Sequence, residues 1–288
     1  MSTKLFSIKE LEAFSDLKAH TIRVWESRYA VLSPERSAGN LRRYSLAEVR
    51  RLLRCALLTA NGYRISAIAK LEDDQLEERI ALLTSDSAVQ TKALNRLIIS
   101  MFSNKVEDFE ATLDNCLFTF DIDVTIQHII IPFLEKVHLL SYKDGSGEVH
   151  LAVTAIRKKI ILGIESIGNE HKDGKTAVLF LPKDEHYDLI LLYLAYMLKK
   201  NGVHVIYMGT NIPRESLGEI LTSRQPDYVC TYVLPRRTKS VESYIGYLRE
   251  GFPDIKILVA TQEEHHTERR EHGATYINYK DAGKYITA

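Results

Sequence analysis

Between Thr21 and Ser45 the chain sets five arginines (Arg23, Arg28, Arg36, Arg42, Arg43) and three aromatic residues (Trp25, Tyr29, Tyr44) within 25 positions. Guanidinium groups at this density suit phosphate, because each offers a rigid fork of donors and a permanent charge. Reading base edges in a major groove needs similar donors carried on one helix. In "KAHTIRVWESRY", Lys18, His20, Thr21, Arg23 and Arg28 lie mainly away from the stripe Ile22, Trp25 and Tyr29. Arg36, Asn40, Arg42 and Arg43 follow in a stretch with Pro34 and Gly39. That stretch reads as a small hairpin able to lie along the neighbouring backbone as a wing. Tyr29 and Tyr44 are further candidate contacts, with Tyr44 equally suited to packing inside, while Trp25 reads as a core anchor.

Charge distribution points the same way. The 288 residues hold 38 basic and 38 acidic side chains, yet residues 1–70 hold 13 Lys and Arg against six Asp and Glu. A basic head on an acidic body suggests that the head meets a polyanion and the body does not. Cys55, Cys116 and Cys230 are too few and too far apart for a disulfide framework or a zinc spacing, so they read as buried thiols. His265, His266 and His272 fall in a charged segment without thiols or carboxylates at matching spacing, so a solvated helix face is expected there. No uninterrupted apolar run of about 18 residues occurs and no signal peptide is evident, which predicts a cytoplasmic protein.

The elements that must position these residues fall into three segments. Ser7 and Glu10 make a capping-box pattern before Ile8, Leu11 and Phe14, and "SDL" turns the chain into a second helix. Ser45 and Glu48 repeat the capping pattern at the next helix. Residues 1–75 therefore read as a helix-turn-helix with a wing, 76–90 as a charged linker, and 91–168 as three or four antiparallel helices. From 172 to 288, strands such as "TAVLFLP", "VHVIYMG", "DYVCTYV", "DIKILVA" and "ATYI" alternate with helices, including a first one over "DEHYDLILLYLAYMLKKNG" and one over "HHTERREHG". That rhythm predicts a flavodoxin-like, doubly wound parallel sheet, so the fold class is α plus α/β.

The stretch "SIKELEAFSDLKAHTIRVWESRYAVLSPERSAGNLRRYSLAEVRRL" resembles the winged helix-turn-helix of the MerR family. Thr21, Ile22, Arg23, Trp25, Glu26, Arg28, Tyr29, Pro34, Arg36, Gly39, Arg43, Tyr44 and Ser45 match that pattern in order. Ser27 and the pair Asn40-Leu41 depart from it, which bears on site preference rather than on the scaffold. The resemblance implies binding of double-stranded DNA as a dimer on near-palindromic sites.

The order of head, helical bundle and doubly wound domain is similar to one MerR subgroup, the cobalamin-dependent, light-sensing repressors of carotenoid genes. Their C-terminal half resembles the cobalamin-binding unit of methionine synthase. That likeness implies Asp184 and His186 as cofactor-binding residues, with His186 as the ligand to cobalt and Asp184 bonded to it. It also places His150 near the upper face of the cofactor. Several positions depart from the pattern. Leu189 stands where the motif has Gly, Ala260-Thr261 where it has two glycines, and Thr231-Tyr232-Val233 at its Ser-x-Leu. Val149 replaces a Glu, and Leu139 or Leu140 a Trp. Side chains in place of glycine narrow the groove for the cofactor's nucleotide tail, so both a cobalamin-binding module and a relict that has lost the cofactor remain open.

The expected function is a transcriptional regulator without enzymatic activity, acting as a homodimer or tetramer and away from membranes. Its C-terminal module would sense a ligand or drive assembly. The alternatives are a cobalamin carrier or enzyme module, and a regulator responding to another ligand or a partner protein.

Overall fold

The computed structural model describes residues 4–36, 39–137, 147–168, 174–233, 238–261, 269–271 and 273–286. The chain divides into two compact units, Met1–Ile156 and Arg157–Ala288.

In the first unit, helix α1 (Ile8–Ser15) starts where Ser7 Oγ accepts from the Glu10 amide and the Glu10 carboxylate accepts from the Ser7 amide at 2.7 Å. This reciprocal cap satisfies two amides that a helix start otherwise leaves without partners. Leu11 and Phe14 are buried on its inner face. Asp16, in the left-handed region at φ 59°, ends the helix. The turn closes through the Ala19 amide, which donates to Glu12 Oε1 at 2.7 Å. Helix α2 (Ala19–Tyr29) then buries Ile22 and Trp25.

Strands β1 (Glu35–Arg36) and β2 (Arg42–Arg43) pair antiparallel as the expected hairpin. A backbone bridge joins its base to the chain's start, Phe6 N to Tyr44 O at 2.8 Å and Tyr44 N to Phe6 O at 2.9 Å. Helix α3 (Leu46–Ala60) carries the second capping box, in which Glu48 accepts from the Ser45 amide at 2.7 Å. The other oxygen of Glu48 accepts from the Ser33 amide at 2.8 Å, which ties the entry to the wing onto α3.

Helices α4 (Ile65–Ile68) and α5 (Asp73–Ala81) follow. Two arginines hold them to α3. Arg51 donates to the carbonyls of Ala69 and Leu71 and pairs with Asp73, and Arg54 pairs with Asp73 and Glu77. The 76–90 stretch carries the end of α5 and the start of α6 (Asp86–Phe102). Helix α7 (Val106–Thr119), α8 (Ile122–Val124), a π-helix over Thr125–Ile130, α9 (Ile131–Lys136) and α10 (Gly147–Ser166) complete the helical region. The unit boundary falls inside α10. Phe102 meets the rings of Phe6 and Phe14 with centroids 4.9 and 5.4 Å away, and Lys136 pairs with Asp16, so head and helical region share one core.

The second unit holds a six-stranded sheet, in the order β4-β3-β5-β6-β8-β7. Five strands are parallel: β3 (Thr176–Pro182), β4 (His204–Ile212), β5 (Tyr228–Tyr232), β6 (Lys256–Thr261) and β8 (Ala274–Asn278). Their succession is the doubly wound order expected of the rhythm. Helices α11 (Leu189–Lys200), α12 (Arg214–Arg224) and α13 (Thr238–Gly251), then a 3-10 turn over Tyr279–Asp281 and α14 (Ala282–Tyr285), make the connections. Strand β4 lies at one edge. It keeps regular register with β3 from His204 to Tyr207, then shifts, with Gly209 at φ 93° and Asn211 at φ 56°.

Two expectations are corrected. The first α/β helix begins at Leu189, not near Asp184, because Asp184 takes φ 66° and the loop is held by the end of β4. The segment expected to be helical over 265–273 contributes strand β7 (Arg269–Glu271), antiparallel to β8; His265, His266 and His272 lie outside the described residues. Beside β8 this short charged stretch meets a row of free backbone groups, and pairing with them outweighs a helical turn with no apolar face; charged residues are well suited to such an edge.

The capping boxes give a direct test. Ser45→Ala removes the acceptor for the Glu48 amide and should destabilise the protein by about 1 kcal/mol, seen as a Tm lower by a few degrees in thermal unfolding followed by circular dichroism.

Candidate nucleic-acid interface and ligand loop

Helix α2 exposes one side and buries the other. Ile22 and Trp25 point into the core, whereas Lys18, His20, Arg23 and Arg28 are exposed, with Thr21 and Tyr29 half-buried beside them. Lys18 sits at the N-cap and its side chain makes no capping bond. Lys18, His20, Arg23 and Arg28 pair with no carboxylate among the described residues, so their donors face solvent.

The wing is attached to this helix through a single carboxylate. Arg42 Nε donates to both Glu26 oxygens at 3.0 and 3.1 Å, and the Tyr44 hydroxyl donates to Glu26 Oε2 at 3.2 Å. Glu26 therefore occupies Arg42, which was expected among the phosphate contacts, and fixes the hairpin against α2. At the turn Asn40 takes φ 59° and its Oδ1 accepts from Arg36 Nη1 at 2.6 Å. Arg43 is half-exposed, without an ion pair among the described residues. Tyr44 is wholly buried, which withdraws it from the surface. Burial, and then the Glu26 charge beside it, push its phenol up to about 12. Sequence reading missed Glu26 as an organiser, since a lone acid on a basic helix gives no signal until its partners are placed.

The basic excess of the head is also narrower than its count. Arg51 and Arg54 are half-buried against Asp73 and Glu77 and serve packing. The three cysteines are buried; burial pushes the Cys55 and Cys116 thiols up to about 11 and Cys230 further in the same direction, which makes all three inert.

In the second unit the loop after β3 carries Asp184 and His186, both exposed. The Asp184 amide donates to Asn211 Oδ1 at 2.9 Å, and the Asn211 amide to Glu185 O at 3.0 Å, so the loop is held to the end of β4. No hydrogen bond joins Asp184 to His186 among the described residues, although the imidazole is open to a metal. Nearby, Asp188 accepts from Arg157 Nε at 3.0 Å and Nη2 at 2.6 Å, and from the Tyr207 hydroxyl at 3.4 Å. This bond set fixes the C-terminal half of α10 at the start of α11. In the first unit His150 is exposed on α10, beside buried Val149.

The residues present do not fit cobalamin's nucleotide tail. Leu189, at the motif's glycine position, is buried. Between α11, β5, β6 and α14 the space narrows to about 10 Å³, lined among others by Leu194, Thr231, Ala260 and Ile286. That is at the lower limit for one water molecule. Tyr279 fills the neighbourhood, fully buried, with its ring edge-on to Tyr193 and Tyr232 at 6.0 and 6.4 Å. The hydroxyl of Thr231 is buried without a hydrogen-bond partner among the described residues, a polar group in a slot otherwise closed. Thr261 Oγ1 is directed to the Ile277 carbonyl at 3.5 Å.

Comparison with known proteins follows this division. Residues 6–75 match the family model described as MerR HTH family regulatory protein. Over 268 residues the chain is 26% identical to the HTH-type transcriptional repressor CarH of Myxococcus xanthus, which covers 88% of this chain and 87% of that protein. Over 247 residues it is 24% identical to CarA of the same organism, covering 85% of this chain and 81% of the relative. Among solved structures, the monomethylamine corrinoid protein of Methanosarcina barkeri superposes with a TM-score of 0.54 at 14% identity, over 68% of this chain and 97% of that one. At that identity the likeness speaks for fold alone, and the fold is the expected one.

Tyr44 and Arg23 separate packing from contact. Tyr44→Phe should cost about 1 kcal/mol of stability and leave operator affinity within about twofold, whereas Arg23→Ala should weaken the complex about tenfold. Because the folded phenol titrates above the ordinary 10, its contribution is full below pH 10 and fades as pH rises toward 12. Urea midpoints measured from pH 9 to 12 should show this alkaline loss in the wild type and less of it in Tyr44→Phe.

Proposed function

We propose that this chain is a DNA-binding transcriptional regulator that grips a promoter duplex through residues 5–70, as a homodimer or tetramer in the cytoplasm. The observation that carries the reading is the row Lys18, His20, Arg23 and Arg28 on the exposed side of α2, with the Arg36, Asn40 and Arg43 wing fixed beside it by Glu26. The N-terminal residues of α2 face the bases, and Arg28 with the wing residues lies along phosphate. Repression is the direction suggested by relatives called transcriptional repressors.

The C-terminal module acts in this reading as an assembly and sensing unit that has kept the fold of corrinoid proteins and lost room for the cofactor's tail. Buried Leu189 and the Tyr193, Tyr232 and Tyr279 cluster support this. A second reading, a cobalamin sensor or carrier, is favoured by Asp184 and His186 on the loop where a metal ligand is expected. In that case His186 would be the residue that holds the metal.

Gel shifts on DNA upstream of the protein's own gene test the first reading. Arg23→Ala with Arg43→Ala should lower affinity by more than about tenfold and flatten the log-log salt dependence by about two; unchanged binding would defeat it. Purified protein incubated with adenosylcobalamin in the dark should stay colourless after desalting. Retention of a cobalamin spectrum that His186→Ala alters would establish the second reading instead.

A further inference from the structure

The first unit has a cleft that the DNA-binding reading does not use. Helices α3, α5 and α6 enclose about 380 Å³, within the range that small-ligand sites occupy and too small for a helix. Its floor is apolar: Leu53, Leu57 and Ile80 are buried with their side chains lining the cleft. Its rim is cationic, with Arg50 and Arg54 on α3 and Lys92 and Arg96 on α6, against Glu77 as the one acid among the lining residues. Both cation pairs stand four residues apart, so each projects from one helical face.

These cations are not equivalent. Arg54 is engaged by Glu77 and by Asp73 at 2.8 Å. Lys92 Nζ donates to the Leu83 carbonyl at 2.6 Å, which positions the ammonium and leaves its charge without a counterion. Arg50 and Arg96 are exposed and make no ion pair among the described residues. A surface used only for packing would match such charges, as Arg51 is matched by Asp73. Duplex phosphate would gain nothing from a leucine and isoleucine floor, and the DNA-facing cations lie on α2 and the wing.

We infer that this cleft binds a small amphipathic anion, whose carboxylate or phosphate head pairs with Arg50 and Arg96 and whose apolar body lies over Leu53, Leu57 and Ile80. Guanidinium forks suit such heads, and exclusion of water from the floor strengthens the pairing. Helix α3 closes the DNA-binding head, so an occupant would touch the head directly.

Isothermal titration of the full chain with decanoate, below its micelle concentration, tests the site. The expected result is saturable binding of one decanoate per chain, weakened at least tenfold by Arg50→Gln with Arg96→Gln and unchanged by Arg224→Gln on α12. Decanol should bind much more weakly, and decyltrimethylammonium not at all. Absence of saturable decanoate binding, equal binding by the double variant, or decanol binding as tightly as decanoate would each overturn the assignment. Loss of operator affinity in the ligand-free double variant with decanoate binding intact would also overturn it, by placing the rim on the DNA surface.

Discussion

The surface proposed to meet DNA depends on one carboxylate. Glu26 lies on the helix that carries the proposed base-reading residues, yet its own bonds run to the hairpin, to Arg42 and to the Tyr44 hydroxyl. A two-stranded hairpin of this size has little stability alone, and its strands are two residues each. The Glu26 contacts, the Phe6–Tyr44 bridge and the Glu48 hold on Ser33 supply what the hairpin lacks. Because Tyr44 is buried, the bond made by its hydroxyl forms in a poorly hydrated setting, where it is worth more than at a surface. The cations that face outward can stay unpaired because those that face inward are matched.

That partition explains how charge should be read in such heads. Residues 1–70 carry 13 basic side chains, but their number is a poor measure of the surface a duplex would meet. Arg51 and Arg54 fasten α3 to α5, and Arg42 is bound to Glu26. Outside those ties stand the row on α2 with its short wing, Arg50 at the edge of the α3–α6 cleft, and Lys4, Lys9, Arg64 and Lys70 elsewhere. The local excess of charge is thus in part fastening, with phosphate contact and the cleft edge as the proposed uses of the unpaired cations.

Most of the fold was legible because it rests on local chemistry. Ser7 with Glu10 and Ser45 with Glu48 mark helix starts by a reciprocal bond that spacing alone predicts, and the buried run of β3 is apolar residue after residue. The parts that could not be read depend on distant partners. The start of α11 is not visible in its own sequence because Asp184 takes a left-handed turn while its amide donates to Asn211, 27 residues away. Strand β7 has no period in its charged sequence to mark it, and its pairing with β8 makes it a strand. At the DNA face the exposed residues of α2 were legible from periodicity, whereas Tyr44 and Arg42 were not, since both answer to Glu26 sixteen or more residues away. In the C-terminal module, substitutions at glycine positions signalled a narrowed groove. The edge-on packing of Tyr279 against Tyr193 and Tyr232 joins three separate elements and left no trace in any one of them.

Strand β4 has consequences for how the molecule survives in a crowded solution. As an outermost strand it presents amides and carbonyls that another chain's backbone could use to extend the sheet. Its regular stretch is confined to His204–Tyr207 before Gly209 and Asn211 bend the backbone out of line. That bend breaks the straight run that an incoming strand would follow, which makes this edge a poorer template than a regular nine-residue strand.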